Sequence, residues 1–78
     1  MTPEEYVKSH QKAFRVAFDF LNTHFPPEND ASWWEQVAVD ASQATVMAGE
    51  TPLVIQLMIG VINYLDDERR KRYDAADD

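Results

Sequence analysis

Cysteine is absent from this 78-residue chain, which removes disulfides and thiolate metal sites as braces for the fold. Packing alone has to hold it. Only Gly49 and Gly60 are glycines, too few for a glycine-rich phosphate loop. No apolar run approaches the roughly 20 residues that span a bilayer. The N-terminal MTPEEYVKSH lacks a basic segment followed by an apolar one, so no secretory signal is expected. Basic residues are missing from the whole middle of the chain. The seven are Lys8, Lys12 and Arg15 near one end and Arg69, Arg70, Lys71 and Arg72 near the other.

Those absences narrow the classes of function. A net charge of −7 disfavours direct nucleic-acid binding, because neutralising phosphates takes clustered Lys and Arg. It disfavours adsorption to an anionic membrane equally. The reading is of a soluble cytoplasmic protein that binds neither nucleic acid nor membrane. Hydrophobic residues make up 45% and aromatics 12% of the chain, enough for a folded core rather than disorder. The length allows one domain, 1–78, with a frayed acidic tail at 74–78.

The chain is organised around Leu53 to Leu65. Only Gln56, Gly60 and Asn63 break its apolar character. At about 100° per residue these three share one narrow stripe of a helix, roughly 60° wide. Leu53, Val54, Leu57, Met58, Val61, Tyr64 and Leu65 make a broad core face, while Ile55, Ile59 and Ile62 lie beyond it, toward the far edge. Helix start signals repeat along the chain. Thr2-Pro3 and Thr51-Pro52 each place a capping residue before a first-turn proline, Glu5 stands in capping-box position, and Asp30 or Ser32 caps a second helix. Pro26 and Pro27 stop the first helix, and Gly49 stops the second. The spacing predicts an all-α fold, a small antiparallel three-helix bundle with helices about 3–24, 32–48 and 52–73.

The first helix should bury Tyr6, His10, Ala13, Ala17 and Leu21, with Phe14, Phe18 and Phe25 widening its apolar face. Glu4 and Lys8 stand at pairing distance along it. The second should bury Trp34, Val37, Ala38, Ala41, Thr45 and Ala48. Gly60 implies either close backbone contact or simple membership of the polar stripe.

Chemistry is sparse. His10 and His24 lie about 21 Å apart along one helix, too far to share a metal, and His24 with Glu28 or Asp30 has no recognised ligand spacing. His24 is better read as a helix-end histidine. Ser9, Ser32 and Ser42 lack a nucleophile elbow. No enzyme, metal or cofactor is expected. Arg69 to Arg72 follow Asp66, Asp67 and Glu68, the pattern of a salt-bridged helix end rather than a nucleic-acid patch.

Interaction is the expected role. Three isoleucines left in water form a patch that monomers avoid, and Trp33 falls at the core margin, where aromatics anchor interfaces. The candidate interface is therefore Ile55, Ile59, Ile62 and Trp33, met by a protein partner or by a second copy in a homo-oligomer. A second reading comes from residues 16–68, where Asp19, Glu28, Asp30, Glu35, Asp40, Glu50, Asp66, Asp67 and Glu68 stand without a base. Such a surface suits an acidic regulator or decoy that imitates nucleic acid toward a basic DNA- or RNA-binding protein. In size and acidity the chain is similar to small acidic proteins of bacterial mobile elements and phages, but no motif carries that likeness.

Overall fold

Thr2, Asp30 and Thr51 start the three helices of the computed structural model, which describes residues 1–74. Each sits in extended backbone, and its side-chain oxygen accepts from the backbone N–H of Glu5, Ser32 or Val54 respectively. The elements are α1 (Pro3–Thr23), α2 (Ala31–Met47) and α3 (Pro52–Arg69). A π-helical turn, Arg70–Asp74, continues α3. The second cap is thus Asp30, which also accepts from the Ser32 hydroxyl at 2.7 Å. Asp74 still belongs to that turn, and the rest of the expected frayed tail lies outside the described residues. No strand occurs among them.

The helix ends follow from local chemistry. α1 closes at His24, whose backbone N–H reaches the Phe20 and Leu21 carbonyls before the cis Phe25–Pro26 bond. At the end of α2, Gly49 takes φ +91°, which favours glycine. Its N–H donates to the Val46 carbonyl and that of Glu50 to Thr45, the paired bonds of a Schellman cap.

α3 is the helix the others pack on, and α1 lies mainly against it. Asn29, just before α2, meets Arg69 at the end of α3 at 3.0 Å. Thr45, Val46 and Glu50 line one groove with Ile55 at the start of α3. Tyr6 and His10 of α1 share a recess with Thr51 and Leu53, while Phe25 stacks on Tyr64. The start of α1 thus lies beside the start of α3, and the link that follows α1 lies beside Tyr64 of α3.

The core is Ala13, Ala17 and Phe20 of α1, Val37 and Ala41 of α2, Ala48 beyond it, and Val54, Met58 and Leu65 of α3. For α3 this is the predicted face, with Leu53, Leu57 and Val61 half-buried beside it and Tyr64 exposed. On α1 the prediction needs correcting. Tyr6, His10, Phe14 and Phe18 are exposed, and Phe20 is the aromatic that goes inside. Phe20 lies two turns beyond Ala13 on the same stripe, whereas Phe14 and Phe18 each follow a buried alanine by one residue, about 100° further round. The small alanines let α3, the helix that α1 mainly lies against, approach closely. On α2, Ala38 is exposed and Trp33 shares with Trp34 the half-buried position. Gly60 faces open space, so membership of the polar stripe explains it and close backbone contact does not.

The molecule is elongated. Its radius of gyration is 14.4 Å and its extents are 52 × 21 × 17 Å, against roughly 11–12 Å for a compact chain of this length.

Candidate interaction surface

Among the described residues, two exposed apolar surfaces span several side chains each. The first lies between α2 and α3. Ile55, Ile59 and Ile62 form one wall of an open groove, and Ala41, Thr45 and Val46 form the other, with Glu50 at one end. Met58 supplies the floor from the core. The isoleucines face this groove because the helix that buries Val54, Met58 and Leu65 must turn the next positions sideways. α2 presents Ala41, Ser42, Thr45 and Val46 there, side chains too short to cover Ile55 and Ile59. Ile55 is 41% and Ile59 54% exposed, while Ile62 is half-buried against the core.

The second surface is on α1. Val7, Phe14 and Phe18 are 53%, 58% and 61% exposed. They recur at seven and then four residues, so they stack into one ridge along the helix, beside Gln11 and Arg15. The sequence reading placed Phe14 and Phe18 in the core and so missed this ridge. Its signal was a pattern too wide for one face: α1 carries apolar residues over more arc than α3 can cover.

Trp33, the remaining candidate, is not grouped with the isoleucines. It is packed against the core, edge-on to Trp34 at 4.8 Å and to His24 at 6.4 Å between ring centres. Trp34 donates its indole N–H to the Glu28 carbonyl at 2.8 Å, fastening the 24–30 link to α2.

Several polar groups are engaged inside the chain. His24 stacks on Phe20 at 4.0 Å, its Nδ1 lies 2.8 Å from the Phe20 carbonyl oxygen, and its Nε2 lies 3.0 Å from Asp40 Oδ2. Gln36 donates to the other Asp40 oxygen at 2.8 Å. These contacts hold the Asp40 carboxyl below the usual carboxylate range, the hydrogen bond with His24 first and that from Gln36 second, against a smaller opposing effect of burial. The basic end is likewise paired: Arg69 and Arg70 with Asp66, Lys71 and Arg72 with Glu68. Arg72 also sits 5.1 Å over the Phe25 ring. This is the salt-bridged helix end that the sequence predicts. The expected Glu4–Lys8 pair does not form, and neither Lys8 nor Lys12 has an ion-pair partner among the described residues.

Among the described residues, no three His, Asp or Glu side chains gather in a metal-binding group, and no helix is long and apolar enough to cross a membrane. No protein-family model, curated protein or solved structure matches the chain. The functional reading therefore rests on these surfaces.

Proposed function

We propose that the chain is a small non-enzymatic interaction module that buries the α2–α3 groove against a protein surface. The observation that carries this reading is the open apolar groove in which Ile55 and Ile59 stand about half exposed. Such a groove accepts apolar knobs from a partner, and burial returns about 25 cal/mol for each Å² removed from water.

The alternative of an acidic decoy draws less support. Asp40, Asp66 and Glu68, three of the acids that would imitate phosphates, are already held by His24, Arg69, Arg70, Lys71 and Arg72.

Light scattering on wild type and Ile59→Glu tests the reading. A buried charge in the groove is expected to abolish association while helicity by circular dichroism is kept. Association of equal strength in the variant would contradict the proposal.

A further inference from the structure

We draw no further inference here: the strongest candidate, the exposed ridge of Val7, Phe14 and Phe18 along α1, is an unpartnered apolar face, and nothing in the structure shows what covers it.

Discussion

His24 Nε2 and Asp40 Oδ2 meet at 3.0 Å across sixteen residues of sequence, tying the end of α1 to the middle of α2. The other ring nitrogen faces the Phe20 carbonyl oxygen.

Acid is therefore expected to loosen this junction. Folding lowers the Asp40 pKa through His24 and then Gln36. The contact stabilises the fold fully above the carboxyl's unfolded pKa of about 3.9, and that stability is lost as pH falls through the lower folded value. Asp40→Asn should be less stable than wild type at about pH 6, with the gap closing below about pH 3. Urea denaturation at the two pH values checks it. A gap that is the same at both would contradict the assignment.

The two glycines should respond oppositely to alanine. Gly60 lies inside α3 with open space where a Cβ would stand, so Gly60→Ala should stabilise by about 0.5–1 kcal/mol. Gly49 has equal space but φ +91°, so Gly49→Ala should destabilise by about 1 kcal/mol. Thermal unfolding followed by circular dichroism separates them, and a shared sign would refute the cap geometry.

Core truncation should be costly because the core is so small. Leu65 is fully buried, and Leu65→Ala is expected to cost about 2–5 kcal/mol. Val39 is half exposed on the outer side of α2, and Val39→Ala should fall within about 0.5 kcal/mol of wild type. Chemical denaturation of both variants measures the contrast. Similar losses would mean that α2 is packed differently.

Much of the fold was legible because its signals are local. Thr2, Thr51 and Gly49 mark helix ends through their own backbone chemistry, and the face of Val54, Met58 and Leu65 follows from period alone. What failed was the choice between competing faces. Helix period says that Phe14 and Phe18 share a side, but not that α3 would pack on the alanines instead. The His24–Asp40 contact was hidden for a related reason. It depends on how the 24–30 link brings α2 back along α1, which residue spacing does not encode. Of the candidate interface, Ile55 and Ile59 were placed correctly in water because they flank a strongly defined core stripe. Ile62 proved half-buried, and Trp33 is grouped with His24 and Trp34 instead.

Ile55, Ile59 and Ile62 are the chain's three isoleucines, and all of them line the groove. Isoleucine-methyl NMR over a dilution series therefore reads the groove directly. With rising concentration, the Ile55 and Ile59 signals are expected to shift or broaden and to lose their exposure to a soluble paramagnetic probe. Three signals that hold their positions, with Ile55 and Ile59 open to the probe at the highest concentration, would contradict burial of the groove by association.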